Sequence, residues 1–287
     1  MLKKGLLGIL IIILLFVFFV FIKFELNKVK KFNVQKFDLQ DVESIADVEL
    51  GKRIYEVRAG CIDCHGEKLD GKMVMDNGAI GTIYGSNISP YNLKSWTDEE
   101  VVRAIRYGVH KSGRSLNFMP SFDFEELSKG DILSVVKYLR SQPEVASESH
   151  QNSFGPIARL MSSLGKMPIM FPAKEMDLKK GFSEKPLEEA SVAFGKYLAN
   201  TCIGCHGKNL MGGPIPGGDP SWPEAGDLRF GSNPEWTQER FTELMKTGIS
   251  PITKKELRVP MPSWLLIQYN ATETEALWLY LSSLNSK

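Results

Sequence analysis

The sequence predicts an all-α chain of two tandem helical modules behind an N-terminal transmembrane helix. Three observations predict it. A five-residue motif, Cys61-Ile-Asp-Cys-His65, returns as Cys202-Ile-Gly-Cys-His206, and the two copies hold all 4 cysteines. The residues around each copy recur at a nearly constant distance, as in an internal repeat. Apolar residues follow the 3.6-residue helical period, and an uncharged apolar run opens the chain.

That run, Leu6 to Ile22, is 17 residues long and, with its flanking residues, suffices to cross a bilayer. It exceeds a usual signal-peptide core and is not followed by a small-residue cleavage site, so 1–24 is read as a retained anchor, with a cleaved signal as the alternative. Lys3 and Lys4 precede it while Lys23, Lys28, Lys30 and Lys31 follow, so loop charge does not decide the orientation. A linker at 25–44 then leads to a first module at 45–142.

In that module Thr97 and Glu100 form a capping box ahead of Val101, Ala104, Ile105 and Gly108 at helical spacing. Ile132, Val135, Val136 and Leu139 make the apolar face of a closing helix. Residues 143–189 join the modules, and Ile157, Leu160, Met161 and Leu164 lie on one helical face, extended by Met167, Ile169, Met170 and Phe171. Packing against the modules is expected of that face; docking of a redox partner and membrane contact are the alternatives. The second module, 190–287, repeats the pattern with Thr237, Phe241, Leu244, Met245 and Gly248, then Leu277, Tyr280, Leu281 and Leu284. Its Gly/Pro-rich stretch from Gly212 to Pro223 reads as a fixed loop.

The repeat is measured by subtraction: Cys61 and Cys202 are 141 apart, Trp96 and Trp236 140, Gly108 and Gly248 140, Met119 and Met261 142, Tyr138 and Tyr280 142. Two thiols one helical turn apart reach both vinyl groups of a haem, and the adjacent imidazole is aimed at the iron. A zinc site, local disulfides or a redox dithiol leave the histidine after each second cysteine unexplained. Cys61, Cys64, Cys202 and Cys205 are therefore read as covalent anchors of two haems c, with His65 and His206 as proximal iron ligands.

For the distal positions, Met119-Pro120 and Met261-Pro262 lie 54 and 55 residues beyond those histidines and each 19 before the tyrosine of the last helix. Met73, Met75, Met211 and Met245 have no such counterparts. A thioether is a soft neutral ligand that favours Fe(II), so His/Met ligation raises the potential. His110 and His150 lack repeat partners and are expected to be solvated loop histidines. Trp96 and Trp236 are candidates to donate indole N–H groups to haem propionates, with core packing the alternative.

These residues resemble the class I cytochrome c fold. There Gly51 with Tyr55, and Gly195 with Tyr197, stand where the first helix packs against an aromatic of the last, here Tyr138 and Tyr280. More narrowly, Gly81-Thr-Ile-Tyr84-Gly-Ser-Asn87-Ile-Ser-Pro90, Trp96-Thr97, Arg103-Ala-Ile-Arg106-Tyr-Gly108 and Met119-Pro120-Ser-Phe122 are similar to the cytochrome c subunits of bacterial membrane-bound alcohol and gluconate dehydrogenases. The resemblance implies haem attachment outside the cytoplasmic membrane, with the globular part in the periplasm or on the outer face. It also implies electron delivery toward quinone or a terminal oxidase. Two modules stand here where many such subunits have three.

The expected function is electron transfer through two His/Met haems in a respiratory or dehydrogenase chain, without a catalytic residue. Partners would be a membrane-bound dehydrogenase, a quinol-oxidising complex or a terminal oxidase. With 43% hydrophobic residues, 24% charged residues and a formal net charge of +1, there is no basic stripe for nucleic acid. The competing readings are a dihaem peroxidase, which needs an open distal position, and a haem-based redox or gas sensor, which needs an output domain.

Overall fold

The computed structural model describes residues 2–39, 45–147, 150–216, 218, 221–257 and 260–285. Helix α1 (Leu2–Val29) is followed by α2 (Val48–Arg53), the one-turn α3 (Ile62–His65), a hairpin of β1 (Met73–Asn77) and β2 (Gly81–Tyr84), and the short α4 (Pro90–Leu93). Then come α5 (Asp98–Tyr107), α6 (Lys129–Ser141) and α7 (Pro156–Ser163). The chain finishes with α8 (Val192–Ala199), one-turn α9 (Ile203–His206), α10 (Gln238–Thr247), α11 (Ser263–Leu266) and α12 (Ala271–Ser283).

The fold is mostly helical, and the hairpin departs from an all-α chain. Strands β1 and β2 pair antiparallel, with Met73 opposite Tyr84 and Asn77 opposite Gly81. Asn77-Gly78 sits at its tip, and Asn77 Oδ1 accepts from Ala79 N at 2.9 Å. The left-handed backbone of this turn falls at Gly81, φ 122°, where β2 begins.

The helices begin and end where side chains satisfy their free backbone groups. Both arms of the Thr97/Glu100 capping box open α5, and Gly108, left-handed at φ 63°, closes it. Thr237 caps α10 and Gly248 ends it at φ 69°. Asn270 and Glu273 form a second capping box at α12.

Two helix crossings organise the core, and a glycine permits each. A Cβ on Gly51 would stand 1.9 Å from the Ser134 carbonyl oxygen of α6; one on Gly195 would stand 1.9 Å from that of Ala276 in α12. Only hydrogen fits there. Tyr55 packs on Tyr138 with ring centroids 5.5 Å apart. Tyr197 sends its hydroxyl to the start of α6, donating to Asp131 Oδ2 at 2.8 Å and accepting from Ser128 N at 2.8 Å.

One apolar core runs through both crossings, from Ile54, Val102 and Leu133 to Phe194, Ala276 and Leu281. Beside it lies a buried ionic cluster. Glu273, wholly buried, accepts from Arg53 Nε at 2.9 Å and Arg58 Nε at 2.7 Å, and Arg58 also grips Glu188 through two bonds of 2.9 and 2.8 Å.

The segment between α6 and α8 forms its own cluster with the end of α1. Phe24, Ile80, Ala158, Met167, Met170 and Phe171 bury one another. Helix α1 therefore continues past residue 24 to Val29. Residues 30–39 are held too: Phe32 N donates to Gly113 O at 2.8 Å, and Phe37 packs edge-on to Phe182 at 5.5 Å. On α7 the buried positions are Ala158, Ser162 and Ser163, whereas Ile157 and Leu164 face outward. Of the predicted apolar surface, Met161, Met167, Ile169, Met170 and Phe171 pack inward, while Ile157 and Leu164 do not, because close approach to α1 selects small residues on α7.

Candidate functional site

Cys61, Cys64, His65, Trp96, Met119 and His110 line one cavity of about 230 Å³ enclosed by the turn after α2 and by α3, β2, α5 and α6. Its other walls are largely apolar, among them Ile54, Ile83, Phe124 and Leu139. The cysteine motif forms a single turn: His65 N and Cys64 N both donate to Cys61 O, and Gly66 at φ 77° ends it. His65 Nδ1 donates to Ser86 O at 2.8 Å. That bond fixes the tautomer and frees Nε2 for a metal. Burial lowers the His65 pKa, partly offset by Ser86, which keeps the imidazole neutral as a ligand must be.

Met119 stands on a loop supported from outside its own module. Phe118, at φ 58°, donates its N–H to Ile169 O at 3.0 Å, and Asn117 Nδ2 donates to Met170 O at 3.1 Å. After Pro120 the chain turns through Ser121–Phe124. Wholly buried Arg106 pins this region by donating to the carbonyls of Glu125, Leu127 and Gly181.

The histidines outside the motifs differ from expectation in one case. His110 is half-buried in the cavity wall, edge-on to Trp96 at 4.7 Å, with Nδ1 bonded to Ser112 Oγ at 2.8 Å, and burial lowers its pKa. The α5 C-terminus turns it inward at Gly108. His150 is exposed and stacks on Tyr84 at 4.4 Å.

The second set of residues repeats these local arrangements. His206 N–H at Nδ1 is directed to Gly226 O at 2.8 Å, as His65 is to Ser86 O. Gly212 N bonds His206 O at 2.9 Å, as Gly71 N bonds His65 O at 2.9 Å. Leu69 and Leu210 share the left-handed conformation, at φ 61° and 56°. Ser121 N bonds Met119 O at 2.9 Å and Ser263 N bonds Met261 O at 3.0 Å. Cys202 is half-buried, Cys205 exposed, His206 buried and Met261 half-buried. Trp236 stacks on Phe230 at 4.6 Å within a cluster that includes Phe241 and Trp278, which is core packing.

Four of these partners were not singled out from sequence. Leu69 and Leu210 are visible as Cys-His-Gly-x-x-Leu in both copies, at the same 141-residue spacing as the cysteines. Ser86 and Gly226 offer only backbone carbonyls, which carry no side-chain signal.

The second motif touches the segment that follows Met119. Gly204 lies between Cys202 and Cys205, where the first copy has Asp63, and a Cβ there would stand 2.5 Å from Asp123 Oδ2. The Gly204 N–H bonds the Asp123 carboxyl, whose Oδ1 is sealed from solvent without a partner although the residue as a whole is half-buried. Burial holds this carboxyl well above the ordinary range.

A haem fits the first cavity on the donor set and the walls. Cys61 and Cys64 would anchor it and His65 and Met119 would ligate its iron, and the group would supply one-electron redox chemistry there. Burial pushes the bare thiols up to about 12 for Cys61, about 11 for Cys64 and about 12 for Cys202. A reactive redox dithiol needs the opposite shift.

Residues 46–139 match the family model for cytochrome C oxidase, cbb3-type, subunit III. No curated protein matches the chain. The matched residues include the first cysteine motif, Trp96 and Met119. The match identifies residues 46–139 as a c-type cytochrome domain and supports haem c binding and haem-based electron transfer there.

Proposed function

We propose that the chain is a membrane-anchored dihaem cytochrome c, its modules at 45–142 and 190–287, that carries electrons within a respiratory chain. The observation behind it is the repeated local geometry: the Nδ1 bonds of His65 and His206 to carbonyls, the left-handed Leu69 and Leu210, and the turns after Met119 and Met261. Cys61, Cys64, Cys202 and Cys205 would anchor the haems; His65 with Met119 and His206 with Met261 would ligate them. The oxidase-subunit match favours a terminal oxidase as acceptor, with a dehydrogenase or quinol-oxidising complex as donor. Helix α1, uncharged from Leu6 to Ile22, would anchor the chain in the cytoplasmic membrane, and haem attachment outside that membrane would put the globular part on its outer face.

The chain's residues act by holding and shielding. Ser86 and Gly226 orient the histidines, the apolar walls exclude water, and Ile169 and Met170 steady the Met119 loop. Burial and a thioether ligand both favour the reduced state. His110 in the first cavity supports one second reading, a peroxidase-type site in which the distal position opens.

Carbon monoxide added to the reduced protein, and peroxide to the half-reduced protein, separate the readings. A carrier leaves its spectrum unchanged with both. Rapid peroxide turnover establishes the enzyme. Purification in mild detergent followed by mass spectrometry then identifies the partner: an oxidase supplies the acceptor, a quinol-oxidising complex or a dehydrogenase whose substrate reduces the haems supplies the donor, and a chain whose haems none of them reduces or oxidises contradicts the assignment.

A further inference from the structure

Helix α7 lies along the upper end of α1 and runs antiparallel to it. Near its start, Arg159 donates to Glu25 Oε1 at 2.7 Å and covers the rings of Phe21 and Phe24 at 5.1 and 4.8 Å. At its end, Ser163 Oγ donates to the Val20 carbonyl oxygen at 3.0 Å. Passing from Glu25 to Val20 descends about 7.5 Å along α1 at 1.5 Å per residue. Val20 lies inside the uncharged run that ends at Ile22. The end of α7 thus sits below the last uncharged residue of the span, while Arg159 and Glu25 sit above it.

The side of α7 turned away from α1 is apolar. Ile157 is 47% exposed and Leu164 49%, with half-buried Leu160 between them, and Phe21 of α1, under Arg159, is 49% exposed. Lys166 follows in the exposed turn after Leu164, placed to extend its ammonium to the headgroups while its stem lies along lipid. An apolar stripe at that depth, continuous with the apolar surface of a spanning helix and bracketed by cations, matches a bilayer interface.

We infer that α7 is an interfacial membrane helix, its Ile157–Leu160–Leu164 stripe dipping into the outer leaflet and fixing the globular part's orientation on the membrane. Because residues 167–170 after it support the Met119 loop, that loop keeps a set height above the lipid surface. The inference rests on α1 being a retained anchor.

The test is nitroxide labelling of the full chain in liposomes, after purification in mild detergent. Introduced cysteines at Leu164 (Leu164→Cys) and Ile157 (Ile157→Cys) are compared with Ile13→Cys in mid-span and Leu187→Cys, which is 76% exposed on the globular part. The unsubstituted chain should take no label if its cysteines are thioether-bound, and an intact visible spectrum reports folding of each variant. Leu164 should show an oxygen-to-nickel collision ratio several-fold above Leu187 but below mid-span Ile13, with Ile157 between Leu164 and Leu187. A Leu164 ratio equal to Leu187, or low access to both reagents as under a covering subunit, overturns the inference while Ile13 still reads as lipid. If Ile13 itself reads as water, the anchor falls and takes the inference with it.

Discussion

Met119 and Asp123 are the residues whose replacement says most. With Met119→Leu, the first haem should lose its sulfur–iron charge-transfer band and bind carbon monoxide when reduced, while the second stays closed. Difference spectra check this. Asp123 carries a raised pKa in the fold, so its ionisation opposes folding. The penalty is absent below the unfolded value of 3.8, builds as pH rises toward the folded value and is constant above it. Asp123→Asn keeps an acceptor for the Gly204 N–H and removes the charge, so its melting temperature should exceed that of the parent at pH 7 and converge with it near pH 3.8. The cysteine and histidine positions were legible because attachment geometry is local. The inward turn of His110 and the Asp123–Gly204 contact depend on segments far apart in sequence, so no spacing announced them.

At the scale of elements, caps and helix crossings carry the stability. Thr97→Ala should cost about 0.5–2 kcal/mol, since it strips the first turn of α5 of its acceptor. Gly195→Ala forces a methyl onto the Ala276 carbonyl and should cost about 1–3 kcal/mol or more, because backbone on both sides has to move. Thermal unfolding of each variant measures both. Helical periodicity and caps revealed α5, α6, α10 and α12 in the sequence. The hairpin escaped because its strands are 5 and 4 residues long, though Asn77-Gly78 marked it. Packing of the segment around α7 was expected, but its most buried helical positions were not: Ala158, Ser162 and Ser163 are small, and hydrophobic periodicity overlooks a face chosen for close approach.

The whole molecule is tied together by charge as well as by its core. Arg58, ahead of burial, holds Glu188 down to about 2, and for Glu273 the bonds from Arg53, Asn270 N–H and Arg58 outweigh burial and keep its pKa low. Depressed carboxyl values stabilise the fold above the unfolded value of 4.5, and that stability is lost as pH falls from 4.5 toward about 2. Acid should therefore separate the α2 and α12 regions first, followed by amide exchange in both helices. Glu273→Ala leaves buried Arg58 with the partly exposed Glu188 as its one carboxylate and should cost up to about 3–5 kcal/mol. That a single core would join both crossings was not legible, because each half alone shows the same amphipathic pattern. The most direct measurement of the central claim is the intact mass of the purified full chain, set beside that of a Cys202→Ala/Cys205→Ala variant. The account predicts two covalent haems on the parent and one on the variant; a parent carrying one haem, with no loss in the variant, would contradict it.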